Sequence, residues 1–219
     1  NSLEIKRQNG NVPKSLPGQD HVSGMIFYVN EADIPEDFKA EAVQAVSTID
    51  AAEALGITSD ATSWAARVMH YQLSEVFRIN NGITLYVGIF TKPAAHTFAE
   101  LATVQNYADG AIRQFGIWDG LTELTKENVT LLQSQADALD LNNAPVSVGY
   151  APSLKGGYQA LPTDIAGAAP RVSVIIAQPG GTNDTGALLF AEATNKTTKN
   201  AVSCIGVWLG HVSAAAVHE

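Results

Sequence analysis

The sequence predicts an α/β domain built on a mostly parallel sheet with helices on both of its faces. Three observations carry this expectation. Short apolar runs alternate along the chain with longer stretches of helical periodicity. The intervening segments are long enough for crossover helices, which make neighbouring strands parallel and cover the sheet. The runs are also nearly continuous in apolar residues, as strands covered on both faces are.

Residues 1–18 read as an N-terminal arm, and 19–219 as the α/β domain. Leu3 and Ile5 suit a short added strand, Asn9-Gly10 is a turn pair, and Pro13 and Pro17 oppose regular structure. Val22–Val29 (VSGMIFYV) is the first firm strand, and a weaker one is expected around Ala42–Ser47. Asp50 precedes a short helical stretch, Ala51–Leu55, that Gly56 ends. A clearer helix covers about Ser63–Ile79. Ala65, Met69, Leu73 and Val76 share one of its faces, and Asn80-Asn81-Gly82 stops it.

Strand Ile83–Phe90 leads to a helix over Phe98–Ala108, whose start is marked by Thr97 and Glu100 as a capping-box pair. Strand Ile112–Trp118 leads to a helix over Lys126–Leu141 with the stripe Val129, Leu132, Ala136 and Leu139. Strand Val146–Tyr150 is followed by a long loop, 151–169, in which Gly156-Gly157 marks a flexible insert. Strand Val172–Ala177 and two helices, Gly186–Thr194 and Val202–His218, complete the pattern.

Charge and composition exclude several function classes. Lys and Arg number 13 against 22 Asp and Glu, a net charge of −9. Nucleic-acid binders carry a basic excess to neutralise phosphates, so neither DNA nor RNA is an expected partner. The single cysteine, Cys204, rules out an intrachain disulfide and fits a reducing compartment. The Asn-x-Ser/Thr triplets at Asn128, Asn183 and Asn195 are read as chance. The most apolar stretch, Ala201–Val217, is shorter than the ~20 residues of a membrane span, so no membrane insertion is expected.

No motif carries a recognisable chemistry. Pro179–Gly186 follows a strand and opens a helix, as a phosphate loop does, and Gly181 and Gly186 are correctly spaced. Ala187 and Leu188 stand where Lys and Ser/Thr belong, and Asp184 would repel phosphate, so Asn183 or Asp184 is read as a helix cap. No dinucleotide fingerprint and no nucleophile elbow occur, and Ser23 and Ser203 lie in small-residue contexts. His21, His70, His96, His211 and His218 form no zinc-type pair; His211 and His218 share a helical face without a third ligand. Asp119 follows a strand, where α/β ligands bind, but Asp119-Gly120 is also a turn pair and no partner for it is visible. Cys204, in an apolar run, reads as an inert thiol. Gly206, Gly210 and Ala214 form a smooth stripe, expected to pack inward against the sheet or to serve as an assembly interface. No catalytic, cofactor-binding or metal-ligating residue is assigned.

Several segments together resemble the contractile tail-sheath proteins of phages and phage-like injection systems, in particular a Bacteroides-type sheath-like family. His21-Val22-Ser23-Gly24-Met25-Ile26 resembles the opening strand of such domains. Asp50-Ala51-Ala52-Glu53-Ala54-Leu55-Gly56-Ile57 is similar to the segment that follows it. His70–Arg78 through Gly82–Val87 resembles the next helix-to-strand unit, and Gly206-Val207-Trp208-Leu209-Gly210 with Val217-His218-Glu219 the helix before the sheath's C-terminal part.

The resemblance implies a mechanical function. Such subunits polymerise with themselves around a tail tube and meet tube and baseplate proteins. They assemble in the bacterial cytoplasm and end in a virion tail or injection particle. Sheath subunits continue into a tube-facing domain. The start at Asn1 without Met and the end at Glu219 after an apolar helical run lead us to expect a trimmed chain lacking that C-terminal part. Terminal arms that add strands to a neighbour's sheet are the expected assembly device. The rival expectation is a small-molecule-binding or hydrolytic α/β enzyme using the C-terminal edge of the sheet, with Asp119 and the Gly180–Gly186 loop. A third is an adaptor module that does not polymerise.

Overall fold

The computed structural model describes residues 22–154, 161–162, 165, 167–182, 184–195 and 200–215. The arm at 1–18, the Gly156-Gly157 insert, His21, Asn183 and 216–219 lie outside the described residues. The chain forms a six-stranded sheet in the order β2-β3-β1-β4-β5-β6. The strands are β1 (Ser23–Val29), β2 (Val43–Val46), β3 (Leu85–Thr91), β4 (Gln114–Glu123), β5 (Ser147–Ser153) and β6 (Val172–Val174). All neighbours pair in parallel except β2, which runs antiparallel to β3 at one edge. The α/β class and the mostly parallel sheet are therefore as the sequence predicts.

Strand β1 sits centrally because it is apolar on both sides: all seven of its residues are buried. Its alternate side chains enter two different cores. Met25, Phe27 and Val29 join one with residues of α2 (Ile49–Ala54), α3 (Trp64–Ile79), α6 (Thr185–Asn195) and α7 (Ile205–Ala214). Ile26 and Tyr28 join the other with residues of α4 (Glu100–Tyr107) and α5 (Lys126–Leu141). A shorter helix, α1 (Glu36–Ala40), buries Phe38 in the first core.

Local signals fix several boundaries. Thr125 caps α5 by accepting from the Asn128 N–H at 3.1 Å, and the helix spans Lys126–Leu141 as its stripe predicts. Gly56 closes α2 with φ +86°, in the left-handed region that favours glycine. Thr48, not Asp50, is the cap at the start of α2: its hydroxyl accepts from the Ala51 N–H at 3.1 Å.

Three expectations fail for tertiary reasons. The capping box of α4 does not form. Its N-cap is Ala99, and Glu100 is instead claimed by the Tyr28 hydroxyl of β1, which donates to it at 3.0 Å. Asp119-Gly120 is not a turn, because β4 continues through it to Glu123 alongside β5. The glycines of α7 face α3 rather than the sheet. A Cβ on Gly206 would collide with the Gln72 carbonyl oxygen, and one on Gly210 would lie 2.9 Å from Ile79 Cβ. Ala214 is exposed. The sheet-facing side of α7 carries Ile205 and Leu209, which close on Gly116 of β4.

Candidate functional site

Parallel strands place the C-terminal ends of β1, β3, β4 and β5 along one edge of the sheet. The strand order reverses between β1 and β4, and α/β ligands bind outside strand ends at such a switch point. Asp119 lies on β4 directly beyond this switch, on the face covered by α4 and α5. It is wholly buried.

Asp119 has the partner that its sequence neighbourhood lacks. Its Oδ2 accepts from the Tyr150 hydroxyl at 2.9 Å and faces His96 Nε2 at 3.1 Å. His96 lies on the connection after β3, and its side chain is 2% exposed. Its ring stacks on Phe98 with centroids 4.5 Å apart and meets Tyr28 edge-on at 4.7 Å. Asn128, in the first turn of α5, donates to the Tyr150 hydroxyl at 3.4 Å. Thr122 Oγ1 stands 3.5 Å from His96 Nε2. Two buried atoms of this node, His96 Nδ1 and Asp119 Oδ1, have no hydrogen-bond partner among the described residues.

The surroundings keep the phenols protonated. Burial, then the neighbouring Glu100 charge, pushes Tyr28 far above the ordinary phenol range. Burial, then the Asp119 charge, does the same to Tyr150. Phe98 adopts φ +55°, a left-handed conformation that costs a bulky residue about 1–3 kcal/mol. The stacking on His96 and edge contacts with Tyr28 and Tyr150 hold it there.

The node opens on one side. A groove of about 270 Å³ is lined by His96, Thr122, Glu123, Thr125, Glu127 and Asn128, with Ala94, Ala95 and Leu131. On the opposite face, Asn30, Ser63, Trp64 and Leu121 help to line a groove of about 210 Å³. A third groove, of about 200 Å³, lies between α3 and α6 beside Arg67, His70 and Glu192.

Other residues weighed from the sequence do not join this node. Asp184 caps α6: its Oδ1 accepts from the Gly186 N–H at 2.8 Å and the Ala187 N–H at 3.4 Å. Those amides, which a phosphate would need, are thus already held by a carboxylate. His70 pairs with Glu53 at 2.8 Å, and His211 is exposed on α7. Burial raises the Cys204 thiol above its ordinary value, which disfavours a reactive thiolate. Ser23 bonds Gln114 at 3.2 Å inside the core. Among the described residues, no group of three or more His, Cys, Asp or Glu is placed to hold a metal ion, and no helix is long and apolar enough to cross a membrane.

Sequence reasoning missed His96 as the partner of Asp119. The available signal was topological: two parallel strands, β3 and β4, must end at the same sheet edge, so a histidine just after one and an aspartate at the end of the other are brought near. No protein-family model matches the chain, and no curated protein matches it.

Proposed function

We propose that this chain is a structural subunit of a contractile tail sheath or related injection device, polymerising around a tail tube. One observation carries the reading beyond the sequence patterns themselves. The segments that resemble sheath domains are scattered in sequence, yet they meet in space. Strands β1 and β3 are paired neighbours, α2 packs beside α3, and α7 lies along α3. Ile57, Leu73, Val76, Leu85, Val87 and Leu209 from these segments share one core with Met25. A subunit of this kind works through repacking interfaces rather than an active site.

The rival reading, a binder or hydrolase at the C-terminal edge of the sheet, has the His96–Asp119 pair in its favour. Against it, Asp119 is wholly buried. The two grooves at that edge, about 210 and 270 Å³, fall below the ~300–1,000 Å³ of small-molecule sites.

The test is electron microscopy and light scattering on the protein, alone and co-expressed with a tail-tube protein. Tubes or stacked rings are expected. A protein that stays monomeric at every concentration, with and without the tube protein, overturns the proposal.

A further inference from the structure

The turn between α3 and β3 holds a reactive pair of residues that nothing restrains. Asparagine followed by glycine is chemically labile, because no Cβ shields the glycine nitrogen and the flexible backbone lets it reach the side-chain amide before it. Two such pairs occur in the sequence, Asn9-Gly10 and Asn81-Gly82, and the second lies within the described residues. Asn81 and Gly82 are both exposed. Among the described residues, neither the Asn81 side chain nor the Gly82 N–H has a hydrogen-bond partner. A Cβ placed on Gly82 would meet nothing within 4 Å. Comparable positions are held in place. Asn80 precedes a residue with a Cβ, and its Nδ2 donates to Ser213 Oγ at 3.2 Å. Asp109-Gly110 is exposed at the aspartate, but the Gly110 N–H donates to the Gln105 carbonyl at 2.9 Å. Asp119-Gly120 is buried in β4, where a Cβ on Gly120 would collide with the Ala201 carbonyl oxygen.

We propose that Asn81 is a site of spontaneous deamidation through a cyclic imide. Base removes the Gly82 N–H proton, and the nitrogen adds to Asn81 Cγ. The N–Cγ bond forms, the Cγ–Nδ2 bond breaks, and ammonia leaves with a proton returned by solvent. Water then opens the imide. Opening at Cγ gives aspartate in the original main chain, and opening at the main-chain carbonyl gives isoaspartate, with the chain rerouted through the side chain. One water is consumed and one ammonia released, with no change of oxidation state. Either product places a new carboxylate just past the C-terminal end of α3, where the helix dipole opposes negative charge. Isoaspartate also adds a methylene to the link between Ile79, which packs on Gly210, and Ile83, which is buried. The inference rests on the turn alone and stands whether or not the subunit polymerises.

The experiment incubates the intact protein at mildly alkaline pH and maps its tryptic peptides by mass spectrometry, with fragmentation that separates aspartate from isoaspartate. Free synthetic peptides spanning 78–86 and 106–113 serve as unstructured references. Asn81 is expected to convert at about the rate of its free peptide, because no hydrogen bond must open first. Asp109 is expected to isomerise about two- to ten-fold more slowly than in its peptide, the effect of one net hydrogen bond on Gly110. The Asn81 product is a mixture of aspartate and isoaspartate. Gly82 lies outside the left-handed region and has room for a Cβ, so Gly82→Ala is expected to melt with the parent while keeping less than about a tenth of the conversion. Stronger protection of Asn81 than of Asp109, aspartate without isoaspartate, or conversion as fast in Gly82→Ala as in the parent would each overturn the proposal.

Discussion

Two buried polar junctions, one on each face of the sheet, are satisfied in different ways. Where α3 meets α7, one wholly buried side chain, Gln72, spends its hydrogen bonds on backbone. Its Nε2 donates to the Val202 carbonyl at 2.7 Å and the Ser203 carbonyl at 3.0 Å, and its Oε1 accepts from the Gly206 N–H at 2.8 Å. Trp118 Nε1 adds a bond to the Val202 carbonyl at 3.0 Å. Around Asp119, under α4 and α5, side chains bond to side chains, and among the described residues His96 Nδ1 and Asp119 Oδ1 are left without partners. A junction satisfied by backbone tolerates no change of shape. A junction satisfied by side chains can be replaced as a set.

Breaking Gln72 is the harshest test of this contrast. Gln72→Leu leaves the Ser203 carbonyl and the Gly206 N–H buried without partners, a cost of about 4 kcal/mol at 1–3 per group. That corresponds to a melting temperature lower by roughly 8–16 °C. A loss under about 1 kcal/mol in urea unfolding would show that the α3–α7 junction relaxes and is no more rigid than the other face.

Asp119→Leu is expected to cost about 3 kcal/mol, since it strips His96 and Tyr150 of their shared acceptor. The combined variant His96→Phe, Asp119→Leu, Tyr150→Phe is expected to recover most of that loss, because an apolar set of similar shape removes the unpaired polar atoms together. Chemical denaturation of the single and triple variants decides it. A triple variant as unstable as the sum of its parts would erase the distinction between the faces.

Gly210→Leu is expected to cost ~1–3 kcal/mol by overpacking against Ile79 of α3. The expected loss is smaller than at Gln72 because no buried hydrogen bond is broken. Thermal melts of Gly210→Leu and of the pair Gly210→Leu, Ile79→Ala separate the two contributions: relief in the pair places the clash on α3, and no relief places it elsewhere.

The smallest effect concerns capping on the α4–α5 face. Thr125→Ala should cost ~1 kcal/mol, and Thr97→Ala under ~0.5, since Thr125 caps α5 and α4 starts at Ala99 without a side-chain cap. Equal losses would restore the capping box that Thr97 and Glu100 suggest. Both faces share one pH limit. Tyr28, Tyr71 and Tyr150 all have folded phenol pKa values raised by burial. The unfolded chain therefore releases these protons first, near the ordinary phenol value of about 10, and stability present below that pH falls as it is exceeded. Urea midpoints measured from pH 8 to 11 should drop only over the last unit.

Helix α5 is legible to the residue because its signal is local: an apolar stripe, Val129, Leu132, Ala136 and Leu139, that repeats every turn. The apolar strands were legible for the same reason, to within two residues at most starts. Strand β4 was cut short at Trp118 because Asp119-Gly120 reads as a turn until β5 is known to lie beside it, with Asp119 opposite Pro152. Glu100 was lost as a cap to a hydroxyl 72 positions away. The direction of the α7 glycines depends on Gln72, 134 positions before Gly206. The candidate node fails to show in sequence on the same grounds: His96, Asp119, Tyr28 and Tyr150 come from four separate stretches, and nothing in their spacing links them.

The bonds from Gln72 also set a timetable for folding. Helix α3 is made early in synthesis, yet the carbonyls and the amide that complete its buried side lie more than 125 residues further along the chain. Until residues 202–210 emerge, Gln72 and Ile79, on which Gly206 and Gly210 of α7 close, are uncovered on that side of α3. Contacts of such sequence separation form late and fold slowly, and an uncovered apolar helix is a target for aggregation and for chaperones. A nascent chain stalled before residue 200 is thus expected to be cut rapidly by protease within α3 and to bind a holdase, while a chain stalled well past residue 215 resists both.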